Sequence, residues 1–165
     1  MVRLFLVCFG ILLSVPSFSQ DRTFDLMPVP SVIKPTKDRC RITTSFTIGV
    51  TGNPGNRVYA EATRALRRLD NRMGFFFKQG NITMKDHDAG ANLLIEVKRP
   101  AELRLYEDES YQLYSGAKQV KIVANTDLGA IRGLETLHQL LSVDADGYYF
   151  PGVEIFDAPR FPWRG

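Results

Sequence analysis

The chain has 165 residues, 44% of them hydrophobic and 24% charged, with a formal net charge of +3 and two cysteines. That length gives one domain with a core of its own and room for a short appendage. A charge this small, without a clustered basic face, speaks against nucleic acid as a partner.

Residues 1–19 have the pattern of a signal peptide. Arg3 supplies the positive start and residues 4–13 the apolar run, and Ser17 and Ser19 are the small residues that precede a cleavage site before Gln20. The run is too short to span a bilayer comfortably, so the expectation is export to the periplasm or the cell exterior, with no membrane association after cleavage. Cys8 lies inside the run behind Val7, which does not suit a lipoprotein acceptor. Cleavage leaves Cys40 as the one cysteine, so no internal disulfide forms and the core alone holds the fold.

Residues 20–37 read as an extended lead-in, because Pro28, Pro30 and Pro35 favour an edge-like path that lies against a domain. The domain proper is expected over 38–156. Arg41 to Val50 alternates loosely and suits a strand, with Ile42, Phe46, Ile48 and Val50 as its apolar positions. Residues 51–56 then form a turn that leaves Asn56 to cap a helix.

From Arg57 to Met73, Val58, Ala62, Ala65, Leu66, Leu69 and Met73 share one helical face, and Gly74 closes the helix. Arg64, Arg67, Arg68 and Arg72 fall on its solvated side. Phe75, Phe76 and Phe77 follow, as core or as an aromatic platform. Asp86-His87-Asp88 has metal-ligand residue types but no companion cluster, so a solvated loop is the reading there.

Leu93 to Val97 is a strand with two buried faces, ended by Pro100. Tyr111 and Leu113, then Val120, Ile122 and Ala124, make a hairpin turned near Gly116. Asn125 or Thr126 caps a second helix, and Asp127 stands at the positive end of its dipole. Ile131, Leu134, Leu137, His138 and Leu141 share its face, and Gly129 and Gly133, four apart, allow close approach to a sheet or a neighbouring domain. A last strand covers Tyr148 to Phe156, interrupted at Pro151-Gly152. The order strand, helix, three strands, helix, strand indicates an α+β fold, a largely antiparallel sheet with two helices packed on one face.

At residues 26 to 165 the landmarks LMPVPSVIKP, ESYQLYS, DLGAIRGLETLHQLL and DAPRFPWRG resemble the non-catalytic N-terminal domain of glycoside hydrolase family 20, the β-N-acetylhexosaminidases. The helix landmark and the tail are the most specific of these. The resemblance implies an α+β platform against a (β/α)₈ catalytic barrel in the same chain, with 157–165 as the start of that barrel. It implies hydrolysis of terminal N-acetylhexosamine from oligosaccharides, in which the 2-acetamido group is nucleophile, a Glu is acid and an adjacent Asp orients the acetamido group. It implies no cofactor.

Within PRFPWRG, Arg160, Phe161, Trp163 and Arg164 match the motif at the barrel entrance and take a structural role only, with an exposed apolar patch expected where the barrel docks. The catalytic Asp-Glu pair is expected beyond Gly165, so the chain alone is expected to be inactive. Glu107-Asp108-Glu109 contains the same residue types but lacks the His and Gly residues that precede the family's acid pair. His87 and His138 find no nucleophile or orienting partner in the sequence. Two other readings stand beside this one: a free-standing carbohydrate-binding or docking module using Phe75 to Phe77 and Tyr148-Tyr149, and the platform of another glycosidase family.

Overall fold

The apolar spacing between residues 57 and 73 is realised as helix α1 (Asn56–Met73), which buries Val58, Ala62, Ala65, Leu66, Leu69 and Met73 along one side. Gly74 ends it at φ 67°, donating its N–H to the Asp70 carbonyl. These positions come from a computed structural model that describes residues 24–102, 104–158 and 160. The signal-peptide residues, and Phe161, Trp163 and Arg164, lie outside the described residues.

Helix α2 (Asp127–Leu140) starts at Thr126, whose Oγ1 accepts from the Gly129 amide at 3.2 Å. Its glycines do what their spacing suggested. A Cβ on Gly129 would overlap the Ser110 carbonyl oxygen, and one on Gly133 would stand 2.8 Å from Ile122 Cγ2. The helix therefore lies directly on the sheet. None of the described helices is long and apolar enough to cross a membrane.

The strands are β1 (Val32–Arg41), β2 (Ile48–Gly52), β3 (Leu93–Arg99), β4 (Tyr111–Ser115), β5 (Val120–Thr126), β6 (Ser142–Asp144) and β7 (Gly147–Asp157). They form one mixed sheet in the order β1-β7-β4-β5-β3-β2, with β6 also on β7. The β2–β3 and β3–β5 pairings are parallel, and β4–β5, β4–β7, β1–β7 and β6–β7 are antiparallel. The parallel pairs are separated in sequence by α1 or by β4 and its flanking loops, whereas tight turns join the β4–β5 and β6–β7 pairs. Both helices cover one face, over a core that contains Phe46, Phe150, Leu66, Leu93, Ile95, Leu113, Ile122 and Leu134, each fully buried. Each such side chain contributes on the order of 1.5–3 kcal/mol by leaving water.

Four local expectations are corrected. The strand expected over Arg41–Val50 is two strands on opposite edges of the sheet: β1 ends at Arg41, a turn carries the Phe46 amide back to the Thr43 carbonyl, and β2 begins at Ile48. The latter half of the lead-in is itself β1, an edge strand, where Pro35 is tolerated. Pro151-Gly152 does not interrupt β7. There β1 shifts register between Pro35 and Arg39, and a Cβ on Gly152 would stand 2.7 Å from the Asp38 carbonyl, so the glycine makes room for the irregular partner strand. Asn56 is not a cap. Gly55 holds that position without a side-chain bond, because a Cβ there would come within 2.6 Å of Asp127 Oδ2.

Candidate functional site

The lead-in, α2 and the end of β7 meet at a seam that encloses a cavity of about 590 Å³. One wall is residues 27–29, whose backbone is fixed by side chains from far along the chain. Gln139 accepts from the Met27 amide at 2.8 Å and donates to the Met27 carbonyl at 2.9 Å. Asp157 Oδ1 accepts from the Ser31 amide at 3.2 Å and its hydroxyl at 3.1 Å. At the back of the seam the Tyr111 hydroxyl and Thr136 Oγ1 share a buried hydrogen bond of 2.6 Å. Met27 and Val29 stay largely exposed, 78% and 58%.

Arg160 belongs to this seam. Its side chain lines the cavity and donates to the Val29 carbonyl at 3.2 Å. It is exposed, and its bond to Val29 joins the end of β7 to the lead-in.

The carboxylates of Glu107-Asp108-Glu109 are occupied by the fold. Glu107 receives Arg99 at 2.6 Å and the amides of Glu102 and Asp108 at 2.9 Å each. These bonds, led by that from Arg99, hold its carboxyl down at about 2. Burial works to raise the Asp108 carboxyl, but bonds from Ser110 and Asn125 outweigh it and leave it below the usual range. Glu109 pairs with Arg132 at 2.9 Å. The Glu107 carboxyl, held this acidic, carries no proton to give a leaving group near neutral pH.

His138 is buried on α2, and its Nε2 has no hydrogen-bond partner among the described residues. Burial first, and then the charge of Arg68, push its imidazole down to about 4. His87 is exposed in its loop, while Asp86 accepts from Thr83 and Gln79 and Asp88 from the Gly90 amide. No group of three metal-ligating side chains occurs among the described residues.

The arginines of α1 are tied to acids or carbonyls: Arg64 to Glu61, Arg67 to Asp70, Arg68 to Glu135 at 2.5 Å, and Arg72 to the His138 carbonyl at 2.6 Å. Nor do the three phenylalanines form a platform. Phe77 is buried, Phe75 packs edge-on against Phe77 and Tyr148, and Phe76 alone is exposed, at 91%. Tyr149 stands under Arg39 and Arg41, with their guanidinium carbons 5.0 and 5.1 Å from its ring centre.

Comparison with known proteins gives this fold a family. The family described as "beta-acetyl hexosaminidase like" matches residues 21–140. Beta-hexosaminidase subunit B2 of Dictyostelium discoideum is 40% identical over 118 residues, which covers 64% of this chain and 20% of that protein. Beta-hexosaminidase 1 of Arabidopsis thaliana is 29% identical over 93% of this chain and 31% of its own length. The X-ray structure of Flavobacterium johnsoniae chitobiase superposes with a TM-score of 0.83 at 44% identity, over 86% of this chain and 22% of that one. The chain thus spans between about a fifth and a third of the proteins it matches. On these grounds the chain belongs to the β-acetyl hexosaminidase-like family, as the N-terminal α+β domain of glycoside hydrolase family 20.

Proposed function

We propose that this chain is the platform domain of an exported β-N-acetylhexosaminidase and that it does not hydrolyse glycosides by itself. The observation that carries this reading is the 44% identity to a chitobiase over 86% of this chain, within only 22% of that enzyme. In the whole protein the reaction would be removal of terminal N-acetylhexosamine, with the 2-acetamido group as nucleophile and the acid and orienting carboxylates supplied by a barrel. The carboxylates of Glu107, Asp108 and Glu109, capped and paired within the fold, support the platform role.

The seam around Arg160 is the proposed meeting point with that barrel. β7 ends there at Asp157, and Met27, Val29 and Arg160 form an exposed, partly apolar rim. Residues 1–19 would direct export and be removed.

Three measurements test the reading. The purified chain is incubated with a chromogenic N-acetylglucosaminide, where turnover would sink the claim of inactivity. The coding DNA beyond Gly165 is read, where an in-phase barrel beginning with an Asp- and Arg-containing strand is expected. Mass spectrometry of the exported product is expected to show Gln20 at its start, and an uncleaved cytoplasmic chain would remove the export claim.

A further inference from the structure

The helices cover one face of the sheet, and the opposite face lies open across β1, β7, β4 and β5. Strand register arranges its side chains in two rows. Val32, Phe156 and Gln112 are cross-strand neighbours in one, and Lys34, Glu154 and Tyr114 in the other. They line a shallow cavity of about 400 Å³. Tyr114 and Phe156 expose 47% and 42% of their surfaces, and they are diagonal neighbours on adjacent strands.

Tyr114 is held in place. Gly116 is buried although it lies in the β4–β5 turn, because the Tyr114 ring covers it: a Cβ on Gly116 would stand 2.9 Å from Cε1 and 3.1 Å from the hydroxyl. One side of the ring therefore rests on backbone and the other looks outward. A ring fixed this way loses little freedom when a flat ligand stacks on it.

Charge narrows the ligand. Lys34 and Lys121 are balanced by Glu154 and Glu96, with Lys121 paired to Glu96 at 2.8 Å. A face without net charge offers nothing to a polyanion. Two aromatic surfaces, bordered by an amide and by charged groups that donate and accept, suit an uncharged molecule with apolar ring faces and hydroxyl and amide edges. A glycan has this character, since the axial C–H groups of a pyranose form an apolar face and its equatorial groups form a polar rim.

We infer that this open face is a binding surface for β-linked N-acetylhexosamine oligomers, with Tyr114 and Phe156 under consecutive sugar rings and Lys34, Gln112 and Glu154 hydrogen-bonding their edges. The choice of sugar rests on the platform reading above.

The test is a titration of the ¹⁵N-labelled chain with chitotetraose, using cellotetraose as the uncharged control that lacks acetamido groups. Saturable shifts confined to Lys34, Gln112, Tyr114, Glu154 and Phe156 are expected, with weaker binding of cellotetraose. Tyr114→Ala and Phe156→Ala should each weaken chitotetraose about tenfold, and Tyr114→Phe should retain it. Gly116→Ala should weaken it by displacing the ring. Both aromatic side chains are exposed, so unchanged circular dichroism is expected to accompany the loss.

No shift at millimolar chitotetraose, shifts on another face, or equal response to cellotetraose would overturn the inference. So would a dimer in sedimentation that Tyr114→Ala dissolves, since a second copy would then own the face. Sugar binding by a chain whose gene continues into no barrel would refute the platform reading alone; a barrel without sugar binding would refute this surface alone.

Discussion

The carboxylate of Asp127, fully buried in the first turn of α2, lies 2.6 Å from Nε of Arg57 in the first turn of α1. Its other oxygen accepts from the Ala101 amide at 2.8 Å, and Arg57 also donates to the Ala101 carbonyl at 2.7 Å. One ion pair thus gathers both helix starts and the end of β3. Arg57→Ala should leave a buried carboxylate without its counter-ion and cost about 3 kcal/mol in urea unfolding. A loss below about 0.5 kcal/mol would show that water reaches Asp127 and replaces the guanidinium.

His138 makes stability depend on pH. Its folded-state value of about 4 lies below its ordinary 6.5, so between those pH values the unfolded chain binds more protons than the folded one. Stability is therefore full above about pH 6.5 and falls as pH drops toward 4, by roughly 3 kcal/mol at most. The charges around it are Glu61, Arg68 and Arg72 on α1 and Glu135 on α2. His138→Gln should flatten the urea midpoint between pH 6.5 and 4, whereas an unchanged slope would assign the acid sensitivity to other groups.

Gly129 and Gly133 should respond differently to alanine. Either change gains about 1 kcal/mol of helix propensity. At Gly129 the new methyl meets the Ser110 backbone, which cannot step aside, so a net loss of about 2 kcal/mol is expected. At Gly133 it meets side chains only, Ile122 Cγ2 and the Tyr111 ring, which are buried and can shift by a few tenths of an ångström, so a smaller net loss of about 1 kcal/mol is expected. Urea midpoints at constant m-value compare the two directly.

Gln139 fixes the lead-in through both its amide oxygen and its amide nitrogen. Gln139→Ala should speed hydrogen exchange at the Met27 amide by about tenfold, a local opening cost near 1.4 kcal/mol, and leave the amides of β3 unchanged. Parallel acceleration in both places would mean global destabilisation.

What the sequence discloses follows from periodicity. Both helices and the β4–β5 hairpin repeat apolar residues at 3.6 or 2, β3 shows as a short apolar run, and the structure follows them within a residue or two. The break between β1 and β2 is hidden because Thr43, Thr44 and Ser45 turn the chain without glycine or proline, while Ile42 and Phe46 stay buried on either side. β1 itself looks like a linker because a half-solvated edge strand can carry Lys34, Lys37, Asp38 and Arg39.

The sites divide in the same way. Glu107, Asp108 and Glu109, set aside in the sequence for want of the family's preceding His and Gly, are capped and paired by Arg99, Asn125 and Arg132, partners that only the fold places beside them. Alternation puts Gln112 and Tyr114 on one face of β4, but nothing in the sequence brings Phe156 next to them. That neighbour depends on the register of β7.

The place of β7 also sets the order in which the chain can fold. It comes last in sequence yet sits between β1 and β4, so β1 has no partner in the sheet until the ribosome has released the residues through Asp157. The four strands from β2 to β5 can assemble on nearby segments, whereas the other half waits for contacts that close almost the whole length of the chain. A product ending at residue 140, where the family match stops, would keep both helices but leave β1 unpaired and one side of β4 open, which invites edge-to-edge association. The smallest piece of this protein able to fold by itself therefore reaches Asp157.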